Sequence, residues 1–309
     1  MFKQSKIYVA GHQGLVGSAL MRKLGSENYT NLITRAFGEL DLRIQNDVED
    51  FFAQEKPECV FLAAAKVGGI LANKEYPADF LYDNLMINSN VIYAAYKHGV
   101  KKLLFLGSSC IYPRLCPQPM KEEYLLSGVL EKTNEPYAIA KIAGIKLCQA
   151  YNQQHGTKFI ACMPTNLYGP HDNFDLFSSH VIPALISKFC EAKKQKKRDV
   201  VVWGSGKPCR EFLFVDDCAD ALIFLMNNYN GSDIINVGVG EDIPIVELAF
   251  IIKNVVQFDG NILFDRTKPD GTPQKLLDIT KMQDFGWQAQ TDLKKGIEKT
   301  VAWYLNNYN

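Results

Sequence analysis

An α/β fold built on a doubly wound parallel sheet is what this sequence predicts, and three observations carry the prediction. Short apolar runs alternate with helical patterns through the first half of the chain, the layout that produces a parallel sheet covered by helices. A glycine-spaced loop, Gly11-His12-Gln13-Gly14-Leu15-Val16-Gly17, closes the first apolar run and opens the first helical pattern. The 309 residues, 47% of them apolar, suffice to bury a large core and to divide into two domains.

Taken in order, strands are expected at 7–10, 32–34, 60–63, 103–106 and 159–163, with helices between them over 15–24, 80–97 and 136–154. His98-Gly99 is a helix-stop signal, and Pro136 suits the first turn of the helix that follows it. After Pro164 the pattern loosens into Tyr168-Gly169-Pro170-His171-Asp172, which sets the main boundary. A further helix over 215–226 and a strand over 234–237 imply that the chain revisits the first domain before ending in the second. The expected division is a Rossmann-like domain over 1–168 plus about 212–238, and a smaller α/β C-terminal domain over about 169–211 plus 239–309.

Composition removes several classes of function. Lys plus Arg and Asp plus Glu both number 34, so no global field draws the chain to nucleic acid or to an anionic membrane. The basic run from Lys193 to Arg198 has no interleaved aromatics and reads as a solvated helix end. No apolar run approaches a membrane span, and the start leads directly into a strand, too briefly for a secretory signal. Eight cysteines without a CxxC fit free thiols in a reducing, cytoplasmic compartment. The five histidines show no ligand spacing, so no metal site is expected.

The glycine loop is the first chemical signal. Gly11, Gly14 and Gly17 leave backbone amides free to approach a pyrophosphate, which the helix N-terminus stabilises further. At the end of the second strand, where an acidic residue would accept the ribose hydroxyls of NAD, stands Arg35, which suits a 2′-phosphate and favours NADP. The second signal is Tyr137-x-x-x-Lys141. Residues four apart share a helix face, so the ammonium is expected beside the phenol, favouring its ionised form. Tyr93 and Lys97 repeat the spacing, but no hydroxyl-ended strand precedes them. Ser108 and Ser109 stand at the end of the 102–106 run and give only the second pair a serine to work with.

Ser108, Tyr137-x-x-x-Lys141 and the glycine loop together resemble the extended short-chain dehydrogenase/reductases that act on nucleotide sugars. Longer blocks narrow the resemblance. Ala63-Ala64-Ala65-Lys66-Val67-Gly68-Gly69-Ile70, Gly107-Ser108-Ser109-Cys110-Ile111-Tyr112-Pro113, Asn134-Glu135-Pro136-Tyr137, Pro164-Thr165-Asn166-Leu167-Tyr168-Gly169-Pro170-His171-Asp172-Asn173 and Lys268-Pro269-Asp270-Gly271-Thr272-Pro273 are similar to the GDP-L-fucose synthase family. The resemblance implies a GDP-linked 4-keto-6-deoxy sugar that is epimerised at two carbons and reduced with NADPH. It implies catalytic roles for Ser108, Tyr137, Lys141, Cys110 and His180. It places the cofactor on Gly11, Gly14, Leu15, Val16, Gly17, Arg35, Asp41, Ala63, Ala64, Ala65, Pro164, Asn166 and Leu167, with Tyr137, Lys141 and His180. It places the sugar nucleotide on Ser108, Ser109, Cys110, Asn166, Lys188, Trp203, Arg210 and Lys275, and implies a homodimer through the helices at 80–97 and 136–154.

Departures from the family pattern bear on two sites. Gln13 and Phe37 stand where arginines usually face the 2′-phosphate, and Lys188 keeps the charge of an arginine without its fork. Tyr137 is the expected proton donor to the ketone oxygen, with Ser108 polarising the same oxygen. Cys110 and His180 match the family's acid and base for epimerisation, Cys110 as a part-thiolate near an electropositive cofactor. Each residue also has an ordinary alternative: a strand-end cap for Ser108, a small buried hydrophobe for Cys110, a helix entry for His180, a surface ion pair for Arg210. Other functions stay open at this point: a 4-reductase on a 6-deoxy-heptose without epimerisation, a dehydratase or epimerase that returns its cofactor unchanged, and a non-catalytic dinucleotide sensor, which the complete Ser108, Tyr137 and Lys141 set disfavours.

Overall fold

Walking the computed structural model, which describes residues 1–268 and 270–308, the first half builds one sheet. Pro269 of the 268–273 block and the final Asn309 lie outside the described residues. The elements run β1 (Ile7–Ala10), α1 (Leu15–Ser26), β2 (Leu32–Ile33), α2 (Gln45–Glu55), β3 (Cys59–Leu62), α3 (Ile70–Glu75), α4 (Pro77–Lys97), β4 (Lys102–Leu106), α5 (Glu135–His155) and β5 (Phe159–Pro164). The remainder runs β6 (Asn166–Tyr168), α6 (Val181–Lys194), β7 (Asp199–Trp203), β8 (Cys209–Phe214), α7 (Val215–Asn228), β9 (Ile235–Val237), β10 (Asp242–Pro244), α8 (Ile245–Val256), β11 (Asn261–Asp265), β12 (Gln274–Lys275), α9 (Thr280–Asp284) and α10 (Leu293–Tyr308).

Six strands in the order β2-β1-β3-β4-β5-β9, all parallel, form the Rossmann-like sheet that the alternation predicts. The continuous apolar runs arise because both faces are covered. Tyr8, Val60, Leu103 and Phe159 point to the layer of α2, α4 and α5, while Ile7, Phe61, Leu104 and Ile160 point to α1 and α7. The strand order reverses between β1 and β3, so a crevice opens at their C-terminal ends, where Gly11 and Ala63 to Ala65 stand.

The chain does return to this sheet: α7 and β9 follow β8, as the expected helix and strand at 215–226 and 234–237 require. A second sheet centres on β8, with β10 antiparallel, and with β12 and β6 parallel along different stretches of it. A separate core of Leu185, Phe189, Phe212, Leu248, Ile252 and Ile297 packs beneath it. Lys193 to Arg198 spans the last residues of α6 and the turn after it and is largely exposed, with Lys193 reaching back to the Val256 carbonyl. All eight cysteines are free. Among the described residues no helix is long and apolar enough to cross a membrane.

Candidate active site

The glycine loop holds the helix start open. Gly14 is the N-cap of α1 without a side-chain cap, and the amides of Leu15, Val16 and Gly17 have no hydrogen-bond partner among the described residues. Three free amides on the positive end of a helix dipole form an anion cradle. The turn lies against the end of β3 so closely that a Cβ at Gly11 would fall 2.8 Å from the Ala64 backbone, and Ala63 donates to the Ala10 carbonyl. These residues fit a dinucleotide pyrophosphate at the switch point of the sheet.

The ribose side of that crevice is more engaged than the sequence implies. Arg35 is engaged in part: one guanidinium nitrogen is ion-paired to Glu55 and another donates to the Thr34 carbonyl at 2.8 Å, which leaves its remaining N–H groups for a phosphate. Asp41 is held below the ordinary carboxylate range by a fork of hydrogen bonds from Arg43, which also reaches Asp83 at 3.2 Å. Phe37 is largely exposed, and the Arg43 guanidinium carbon lies 5.3 Å from its ring centroid. Arg43 thus brings a cation next to the position where the usual arginine is missing.

At the end of β4, Ser108 does cap the turn Ser109–Ile111, its hydroxyl accepting from the Cys110 amide at 3.4 Å. The cap and the functional reading coincide, because the same turn sets Ser108, Ser109 and Cys110 on the wall of a cavity. Tyr137, in the first turn of α5, faces that cavity and packs edge-on against Phe80 at 6.3 Å. Lys141 lies behind it, fully buried, with its ammonium on the Leu106 carbonyl at 2.7 Å and 5.7 Å from the Tyr137 ring centroid. One expectation is corrected here. Burial pushes the Tyr137 phenol above its ordinary value, so it is held protonated instead of ionised. Burial also lowers Lys141 to about 8. The duplicate pair behaves as surface: Lys97 is ion-paired to Glu49, 5.8 Å from the Tyr93 ring.

The Cys110 thiol is also corrected. It is buried, and burial pushes it above its ordinary value although Lys275 and Lys141 pull it the other way, so this site holds a thiol. His180 is indeed a helix entry, the N-cap of α6 in extended conformation, yet it opens on the cavity. Its side chain is exposed to the open cavity, and the walls around it and the Lys275 charge lower it from its ordinary value, which favours the neutral imidazole. A thiol and a neutral imidazole on one cavity provide a proton donor and a proton acceptor.

The cavity, about 370 Å³, runs from this cluster to a cationic end. Arg210 on β8 and Lys275 on β12 are register neighbours, and burial lowers both cations from their ordinary values. The surface ion pair that is Arg210's ordinary alternative is not found: it donates to the carbonyls of Cys209 and Asp270, and neither cation has a salt bridge among the described residues. Two adjacent, partly desolvated cations with no salt bridge among the described residues can receive an anion. Trp203 lies beyond them, between the ammonium groups of Lys188 at 4.9 Å and Lys268 at 5.4 Å from its centroid, and Lys188 also donates to Val201. Asn166 and Leu167 line the same cavity from β6, just after Pro164 at the end of β5.

Sequence reasoning did not single out Asp270, Lys268, Thr133 or Asn134, all of which line the cavity. Asp270 accepts from the Ser205 amide at 2.6 Å and hydroxyl at 2.7 Å, closing the turn before β8 over the cationic end. Its only signal was membership of the 268–273 block, because a loop carboxylate has no periodicity to read.

Known proteins agree with this geometry. The NAD dependent epimerase/dehydratase family matches residues 7–238. GDP-L-fucose synthase 1 of Arabidopsis thaliana is 58% identical over 305 residues, 99% of this chain and 94% of that one. Among solved structures, a GDP-L-fucose synthetase from Naegleria fowleri bound to NADP is 33% identical with a TM-score of 0.93, covering 100% of this chain and 96% of that one. A GDP-6-OMe-4-keto-L-xylo-heptose reductase from C. jejuni is 39% identical with a TM-score of 0.95, covering 99% of both chains.

Proposed function

This chain belongs to the NAD dependent epimerase/dehydratase family and, within it, to the GDP-L-fucose synthases, and we propose that it converts a GDP-4-keto-6-deoxy sugar by 3,5-epimerisation and NADPH-dependent reduction of the 4-ketone. The observation that carries the reading is a single cavity with the cluster of Ser108, Tyr137, Cys110 and His180 at one end and two adjacent cations, without a salt bridge among the described residues, at the other. That spacing suits a sugar at Tyr137 and a diphosphate at Arg210 and Lys275, with Lys188 and Trp203 beyond.

NADPH, when bound, supplies the hydride. The chain's own residues do the rest. The protonated Tyr137 donates to the ketone oxygen as it gains charge, and the Ser108 hydroxyl stabilises the same oxygen. Lys141 braces the phenol from behind and serves the cofactor ribose. Before reduction, the ketone acidifies the adjacent carbons, and Cys110 and His180 exchange their protons. The amides of Leu15, Val16 and Gly17 hold the pyrophosphate. Asp41, Ala63 to Ala65 and Pro164 line the crevice around the cofactor. A homodimer through α4 and α5 belongs to the same reading, and Tyr82 and Ile139 are exposed on those helices.

Deuterium exchange tests the epimerase half. In deuterated water with oxidised cofactor, wild-type protein should place deuterium at carbons 3 and 5 of the 4-keto sugar, since no hydride is available to trap it. Cys110→Ser should lose that exchange while retaining reduction of a pre-epimerised substrate. Reduction by wild-type protein without any exchange would leave a stand-alone 4-reductase of the heptose-reductase kind.

Cofactor choice rests on Arg35 in this reading. Arg35→Ala should weaken NADPH by roughly 10- to 100-fold, the size of a lost charge-assisted hydrogen bond, and NADH much less. Calorimetric titration with both cofactors measures it, and equal losses would place the 2′-phosphate elsewhere, with Arg43 next to be tested.

A further inference from the structure

Glu211 follows Arg210 on β8, and its side chain is completely buried. One carboxylate oxygen accepts from the amides of Val239 at 2.6 Å and Gly240 at 2.8 Å, directly after β9 of the parallel sheet. The other accepts from the Leu277 amide at 2.9 Å, two residues beyond Lys275. Its main-chain carbonyl accepts from the Asn166 amide group at 2.8 Å and the Thr165 hydroxyl at 3.2 Å, at the exit of β5. One residue therefore ties together the exits of two parallel-sheet strands and the segment carrying Lys275, while its neighbour Arg210 faces the cavity. The strand β12 is only two residues long, and the segment after it is also tied to Gln118 and Met120 through Leu276 and Asp278 and to the Asn236 side chain of β9 through Asp278, so Glu211 is one tie among several and the one whose own strand carries Arg210.

We propose that Glu211 is a positioning residue that registers the Arg210 and Lys275 anion site against the parallel sheet, and so sets the distance between the bound diphosphate and the reacting end of the cavity. The proposal rests on reading Arg210 and Lys275 as the diphosphate site. A carboxylate is needed because all three bonds come from N–H donors. In Glu211→Gln one half of the side chain becomes a donor, so either the Val239 and Gly240 tether or the Leu277 tether faces a like group and is lost.

The test compares folded Glu211→Gln with wild type by calorimetric titration of GDP and of NADP⁺, alongside steady-state kinetics. The expected result is GDP affinity reduced about tenfold, NADP⁺ affinity within about threefold of wild type, and kcat/KM lower by on the order of 10²-fold through misplacement. Lys102→Met is the control for general destabilisation. Lys102 caps the carbonyl end of α7 at Met226 and Tyr229, away from the cavity, and its loss should lower Tm without changing GDP affinity. A folded Glu211→Gln with wild-type GDP affinity and kcat/KM overturns the proposal and leaves the diphosphate reading intact. Failure of wild-type protein to bind GDP removes that reading and the proposal together. Should Glu211→Gln not fold, hydrogen exchange on wild-type protein decides. GDP should protect 272–280 and 236–242 together, and protection confined to 272–280 overturns the proposal.

Discussion

Tyr137→Phe is expected to slow ketone reduction by roughly 10²- to 10⁴-fold, the range for losing a positioned acid, while the fold and GDP affinity stay as they are. The phenyl ring keeps the edge-on contact with Phe80, so only the hydroxyl is lost. Single-turnover loss of NADPH absorbance measures the effect, and a wild-type rate in the folded variant would refute the proton-donor role. The pH profile adds a second readout. Tyr137 is pushed above its ordinary value and stays protonated through the neutral and mildly alkaline range. Lys141 loses its charge as pH rises through about 8, so the rate should fall in that window, and Lys141→Met should abolish the fall.

Gly17→Ala is expected to raise the dissociation constant for NADP⁺ by about 10²-fold, in line with an overpacking penalty of about 1–3 kcal/mol borne by the cradle itself. A Cβ at Gly17 would lie 2.0 Å from the Gly11 carbonyl oxygen and 2.6 Å from its carbon. Both are backbone atoms, so no side-chain rotation relieves the contact. The peptide after Gly11 must move, and with it the turn that presents the free amides of Leu15 and Val16. Fluorescence titration with NADP⁺, beside a Tm measurement to confirm folding, reads the loss. Undiminished affinity in a folded variant would show that these amides do not hold the pyrophosphate.

Much of the scaffold was legible because it depends on local patterns. Strands buried on both faces read as apolar runs, and the observed β1, β2, β3, β4 and β5 lie within about a residue of their expected ends. Helix α2 was not named from the sequence. Its stripe of Val48, Phe51 and Phe52 is narrow, and the charged residues around it mask the period. The second sheet was poorly legible, since β6, β10 and β12 have two or three residues each, too few for alternation to register.

The sequence by itself determined the chemistry on offer: a glycine turn between a strand and a helix, a tyrosine and lysine on one helix face, and a serine at a strand end. These are short-range relations, set by backbone geometry within a few residues. Tertiary structure alone decided the electrical state of those groups and which of them meet. Burial makes Tyr137 a held acid and Cys110 a thiol, where proximity to cations had implied ionisation. Glu55, at the end of α2, pairs with Arg35 after β2, and the pairing of β12 with β8 sets Lys275 beside Arg210 across 65 residues of chain. Desolvation and ion pairing depend on every atom packed around a group, and that environment is assembled from segments far apart in the chain.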